Sequence, residues 1–170
     1  MRTFSEYLNE EVNAKTTLTF IKKAHAGQKY GSQPYWTHPK QVADAGKKVF
    51  GSKFNSTAYI VALLHDVIED TEYGEVELLK LGYTQEILDA VKLLTKDGSM
   101  NYNANIQRII SSGNKIAMMV KFADNYMNYT GDKSSWEPKR REKSQTKYMK
   151  SMQDLGAKLG VKQDQMPEII

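Results

Sequence analysis

The sequence predicts an all-α helical bundle, and three observations predict it. Apolar residues recur at helical spacing along most of the chain. Gly and Pro separate those periodic stretches. No stretch shows the strict apolar/polar alternation of a strand ladder. At 170 residues the chain is long enough for one compact domain with a buried core and no covalent staples.

Residues 1–13 read as an N-terminal leader or a first helix, with Phe4, Tyr7 and Leu8 at helical spacing. The main domain is expected over residues 14–160. A helix over 14–26 carries Leu18, Ile21 and Ala24 on one side and Lys15, Lys22 and Lys23 on the other. Gly27 to Pro34 reads as a loop. Pro39 suits the first position of the next helix, where its missing N–H costs nothing, and that helix stops near Gly51.

Asn55 or Ser56 caps a helix that holds the apolar run Ala58 to Leu64 and continues through His65-Asp66-Val67-Ile68-Glu69-Asp70. So long an apolar run implies a central, buried helix. Shorter helices are expected over 75–81, 84–94 and 103–110, the last closed by Gly113. The helix starting at Lys115 is apolar through Val120 and turns polar at Asp124. A long basic helix over 139–159 turns Tyr148, Met152 and Leu155 inward, and residues 161–170 read as a loose C-terminal tail.

Composition narrows the function. Without cysteine there is neither a disulfide framework nor a thiolate site, so any metal is held by His and carboxylate. Such a donor set suits Mn, Fe, Mg or Zn. The net charge is +4, with excess at Lys139-Arg140-Arg141 and Lys143, Lys22-Lys23 and Lys47-Lys48. A mild positive field draws in anionic substrates, although each cluster alone also reads as a solvated surface. The interspersed acids argue against nucleic acid as a partner. No apolar run approaches the roughly 20 residues of a membrane span, and the N-terminus lacks the apolar core of a secretory signal. A cytoplasmic location is therefore expected. The oligomeric state is not legible.

Only three histidines occur: His25, His38 and His65. His65 and Asp66 directly follow a buried apolar run. Burying an ionisable pair costs on the order of several kcal/mol unless something compensates it, and a bound cation does so well. Glu69 and Asp70 lie one turn further on the same helix side. Asp124 ends a second apolar run, with Asn128 one turn beyond, and His38 precedes Pro39. Two imidazoles and two carboxylates from three segments make a candidate mononuclear site with positions open to water or substrate. Each element alone also fits a hydrogen-bonded core histidine, a helix-end carboxylate or a solvated acidic face. Their combination favours the metal site.

The order of these motifs carries a family resemblance. Ala24-His25-Ala26-Gly27-Gln28 is followed by Pro34-Tyr35, His38-Pro39, the His65 to Thr71 segment, Leu94-Thr95-Lys96, Val120 to Asp124 with Asn128, and Lys147-Tyr148. Over residues 14–155 the chain resembles the HD-domain superfamily and, within it, the hydrolase domain of RelA/SpoT-type alarmone enzymes, in the small stand-alone form of the metazoan SpoT homologues. The resemblance implies an HD-domain helical bundle with His38, His65, Asp66 and Asp124 as ligands of Mn²⁺. It implies Glu69 and Asp70 as the pair that positions and activates the attacking water, and Asn128 as a sugar-phosphate contact. The implied reaction removes the 3′-pyrophosphate of guanosine tetra- or pentaphosphate, giving GDP or GTP plus pyrophosphate.

Lys29 and Lys121 either neutralise the pyrophosphate or are simply surface lysines. The family's Arg-Lys pair after Gln28 is replaced here by Lys29-Tyr30-Gly31-Ser32, one residue shorter, and Asn125 stands where the family has Arg. Tyr30 either stacks on the base or only packs its loop. That departure leaves base identity open. A second reading is an HD phosphohydrolase acting on another nucleotide, an adenine alarmone or NADPH. A third is a non-catalytic nucleotide-binding module, against which the intact Glu69 and Asp70 argue. The leader also resembles the short N-termini of tailed-phage proteins, which suggests a phage source.

Overall fold

The structure, a computed structural model, describes residues 11–167. The expected leader falls mostly in residues 1–10, outside the described residues, and the phage suggestion goes with it. Asn13 starts α1 (Ala14–Ala24): its side chain accepts from the Lys15 and Thr16 backbone N–H groups, and the Thr16 hydroxyl accepts from the Asn13 N–H. Such a capping box satisfies first-turn donors that have no helical partner.

The expected loop contains a minimal antiparallel hairpin, β1 (Lys29–Tyr30) and β2 (Gln33–Pro34). Gly31, at φ +59, takes the first position of its two-residue turn, the place that a type II′ hairpin reserves for glycine. Strands of two residues are too short to show alternation in a sequence. Alternation still operates, since Lys29 is exposed and Tyr30 is half-buried.

Helix α2 (Thr37–Phe50) begins two residues earlier than expected, so His38 lies inside its first turn. Pro39 remains among the first residues, whose N–H groups need no helical acceptor. Further along α2, a Cβ on Gly46 would sit 2.3 Å from the ring of Phe54, which is wholly buried. Glycine is therefore what lets that ring close against the helix.

Asn55 caps α3 (Ser56–Leu64). The apolar run and the acidic turn after it predict one unbroken helix to Asp70. Instead the chain turns at His65–Asp66 and resumes as the single turn α4 (Val67–Asp70). Then follow α5 (Glu75–Lys80), α6 (Gln85–Leu94), α7 (Tyr102–Ser111), α8 (Lys115–Thr130) and α9 (Pro138–Leu159).

Helix α8 is the spine, packed against α2, α3 and α9. Its Val120 and Phe122 join Val42, Val61, Leu64 and Leu155 in a core from which water is excluded. Each such side chain contributes roughly 1.5–3 kcal/mol by burial. The apolar half of α8 thus fixes where its polar half, bearing Asp124, must lie. At the far end, residues 161–167 correct the expectation of a loose tail. The Val161 N–H donates to Gly156 O, a 3-10 turn spans Gln163–Gln165, and the Gln165 amide donates to Val49 O at 2.7 Å. Among the described residues no helix is long and apolar enough to cross a membrane.

Candidate metal centre and its cavity

Three segments bring their side chains to one point. The donor atoms of His38, His65 and Asp124 all lie within 4.8 Å of one another, and all three residues are buried. His38 Nε2 is 3.3 Å from Asp124 Oδ1 and 4.0 Å from Asp66 Oδ2. His65 Nε2 is 3.0 Å from Asp66 Oδ2 and 4.0 Å from Asp124 Oδ1. Consecutive side chains of a regular helix diverge by about 100°. The turn between α3 and α4, where Asp66 takes φ −102 and ψ −3, lets the neighbours His65 and Asp66 face the same point.

The residues fit a divalent cation. His65 Nδ1 lies 2.7 Å from the carbonyl of Ala62, which only accepts, so Nδ1 carries the proton. In the neutral ring Nε2 then offers a lone pair, and this buried atom makes no hydrogen bond among the described residues. That lone pair faces Asp66 Oδ2 at 3.0 Å, two acceptors in contact, and a proton or a shared cation between them removes the repulsion. His38 Nδ1 is also buried without a hydrogen-bond partner among the described residues. The His38 ring is held by stacking on Tyr30, centroids 4.5 Å apart and planes 24° from parallel.

Asp124 is gripped by its own helix. Asn128 Nδ2 donates to Oδ1 at 2.7 Å, and Lys121 Nζ donates to Oδ2 at 2.8 Å. Lys121 and Asn128, expected on substrate, are thus engaged with Asp124 while still lining the cavity. Asp66 is gripped from a distant segment, by the Tyr35 hydroxyl at 2.8 Å. The same hydroxyl lies 3.0 Å from Asp70 Oδ2. With a single proton it donates to one carboxylate at a time, which couples the two. Glu69 accepts from Lys96 twice, from Nζ at 2.7 Å and from the backbone N–H at 3.1 Å. Behind Asp70, the Gln28 amide donates to its carbonyl at 2.7 Å, and His25 Nδ1 contacts Gln28 Oε1 at 2.8 Å.

Charges in this cluster resist burial by pairing. Burial opposes the imidazolium of His65, but the carboxylates of Asp66 and Asp124 override it and hold its pKa up at about 9. Burial likewise opposes the Asp66 carboxylate, which His65 nonetheless keeps down at about 2. Asp124 is held well below the ordinary carboxylate range against burial, first by Lys121 and then by the two histidines. Burial, then the nearby Asp66, raises Tyr35 far above an ordinary phenol, so it stays a donor.

The cluster opens into a cavity of about 350 Å³. Every site residue expected from the sequence lines it except Lys29, which is exposed on β1 and outside the lining. Tyr35, Lys96 and Lys147 also line it, and no local pattern in the sequence marks them as site residues.

Comparison with known proteins follows the same lines. No protein-family model matches the chain. A guanosine-3′,5′-bis(diphosphate) 3′-pyrophosphohydrolase of Borreliella burgdorferi is 31% identical over 140 residues, 74% of this chain and 19% of that protein. Its namesake in Aquifex aeolicus is 26% identical over 92% of this chain and 23% of the relative. The chain therefore spans about a fifth of the length of these curated relatives. A solved metazoan ortholog of SpoT, described as hydrolysing ppGpp, superposes with a TM-score of 0.66 at 22% identity, covering 89% of this chain and 93% of that one. The chain has the HD-domain fold of SpoT-like proteins. In this HD domain the His65–Asp66 turn stands at the centre of the cluster, with α2 and α8 completing it.

Proposed function

We propose that this HD domain is a metal-dependent phosphohydrolase that cleaves the 3′-pyrophosphate of guanosine tetra- or pentaphosphate, giving GDP or GTP and pyrophosphate. One observation carries the metal-dependent chemistry: the buried donor atoms of His38, His65 and Asp124 converge within 4.8 Å of one another beside a Tyr35-tethered carboxylate couple. The guanosine substrate is supported by the names of the curated relatives.

His38, His65, Asp66 and Asp124 would hold the cation, with Mn²⁺ the proposed ion. A bound divalent ion supplies Lewis acidity to phosphoryl oxygens and makes water a stronger acid. The chain's own residues do the rest. Asp70, tied by one oxygen to Tyr35, accepts the proton of the attacking water through its carboxylate. Glu69, engaged at both oxygens by Lys96, orients that water. Asn128 and Lys121 keep Asp124 aimed at the centre. A nucleotide substrate also fits a cytoplasmic site of action.

The test is direct. Protein loaded with Mn²⁺ is incubated with ppGpp, and GDP and pyrophosphate are quantified. Absence of both products with fresh metal removes the assignment. Glu69→Ala should lower turnover by about 10²–10⁴-fold with folding and metal content near normal, and equal activity in variant and wild type refutes the role given to Glu69.

One observation supports a second substrate. Tyr30 has one face committed to His38, and Lys29 stands away from the cavity, so the contacts foreseen for a guanine nucleotide are thin. A panel of 2′- and 3′-phosphorylated adenine and guanine nucleotides, NADPH included, decides between them.

A further inference from the structure

Four carboxylates and three ammonium groups line the cavity. Two of the ammonium groups are already committed. Lys96 pairs with Glu69 at 2.7 Å and Lys121 with Asp124 at 2.8 Å. The third, Lys147 on α9, has no carboxylate partner among the described residues. Its Nζ lies over two aromatic rings instead, 4.3 Å from the centroid of Tyr148 and 4.7 Å from that of Tyr102. Lys121 sits against the same Tyr102 ring at 5.8 Å.

Ring faces attract a cation but leave its N–H donors free on the open side. Burial, then the like charges of Lys121 and Lys96, pushes the Lys147 ammonium pKa down, with Asp124 pulling the other way and Lys143 adding to the repulsion. An ammonium crowded by like charge and lacking an anion is relieved by one. With a divalent cation bound, the lining as a whole becomes net positive, so the missing partner is an anion brought by a ligand.

We propose that Lys147 is the anion anchor of the cavity, its ammonium receiving a phosphate group of the bound nucleotide. This rests on the phosphohydrolase reading for the identity of the nucleotide, but not for the binding event. The role moves phosphate recognition from Lys121, whose charge Asp124 already uses, to the long basic helix.

Calorimetric titration of inorganic phosphate into Mn²⁺-loaded protein tests it without requiring turnover. Lys147→Met should weaken binding roughly tenfold, the scale of one charge-assisted hydrogen bond. Lys147→Arg should retain most of the affinity. Lys150→Met is the control, since Lys150 on the same helix pairs with Asp154 and lies outside this lining. Equal affinity in wild type and Lys147→Met overturns the proposal, as does an equal loss in Lys150→Met. With ppGpp as substrate, Lys147→Met should raise KM while kcat changes little, and an unchanged KM also overturns the anchor. Phosphate binding that depends on Lys147 in a protein that leaves ppGpp intact supports the anchor and removes only the hydrolase assignment.

Discussion

Asp66 and Asp124 face the same centre but are held there in opposite ways. Asp124 stands on an unbroken helix and is gripped by residues three before and four after it on the same face, Lys121 and Asn128. Asp66 stands at an interruption between α3 and α4 and is gripped by Tyr35, 31 residues away. The first arrangement is local and forms with the helix itself. The second requires β2, α2 and α3 to have docked. One half of the centre is therefore built by secondary structure and the other by tertiary structure.

The largest expected effect removes the carboxylates themselves. Asp66→Asn and Asp124→Asn should each lower ppGpp hydrolysis roughly a thousandfold or more, because the residues of such a centre act as a unit. Metal analysis of the purified variants should show lost Mn²⁺ in both. Retained metal in one alone would break the symmetry assumed between the two halves.

Next come the acids beside the centre. Asp70→Ala and Glu69→Ala should each cost about 10²–10⁴-fold in kcat, the range for a lost general base, with metal content kept. Asp70→Ala is expected to be the more severe, since both Glu69 oxygens are already occupied by Lys96. Single-turnover rates measured side by side decide the order.

The comparison sharpens with the two grips. Asn128→Ala should weaken Mn²⁺ binding by roughly 10–100-fold, as for other groups that orient a metal ligand. Tyr35→Phe should weaken it by a similar factor and also lower kcat, because Tyr35 touches Asp70 as well as Asp66. If Tyr35→Phe changes metal affinity alone, the coupling between the two carboxylates is wrong.

A second long-range tyrosine, away from the centre, gives the smallest effect. Tyr83 is buried, its hydroxyl donates to Thr17 Oγ1 at 3.2 Å, and burial pushes its pKa up to about 12. A raised phenol pKa means the folded state disfavours the anion. Its stabilisation is complete below pH 10, the ordinary value, and is lost as pH rises toward 12. Denaturant titrations should show about 2–3 kcal/mol of stability lost from this group across that window. Tyr83→Phe should remove that part of the slope while costing about 1 kcal/mol at neutral pH.

These contrasts also explain what was legible in the sequence. Buried apolar runs ending in His65-Asp66 and in Asp124 announced both halves of the centre, because an uncompensated charge behind such a run is costly. The spacing Lys121, Asp124, Asn128 contained the local grip, although the two outer residues were read as substrate contacts. The interruption at His65–Asp66 left no mark, since no Gly or Pro stands there and both residues keep near-helical backbone angles. Tyr35 and Lys96 reach their carboxylates across 31 and 27 residues, and nothing in local periodicity reports such pairs. Lys147 is not legible as a site residue, because a lysine on a basic helix looks solvated until its neighbours are known. The folded-back residues 161–167 were missed for the same reason, their anchor being a carbonyl at Val49.

The stacking of Tyr30 on His38 reaches beyond packing. A histidine whose second nitrogen has no partner among the described residues depends on its neighbour's ring for its orientation, and that neighbour belongs to the short hairpin at the cavity wall. Exchanges on this hairpin that retune substrate choice therefore also loosen or tighten the hold on the ion. If the proposed hydrolysis holds, selectivity and metal retention are one adjustable trait, to be varied together in any attempt to redirect it.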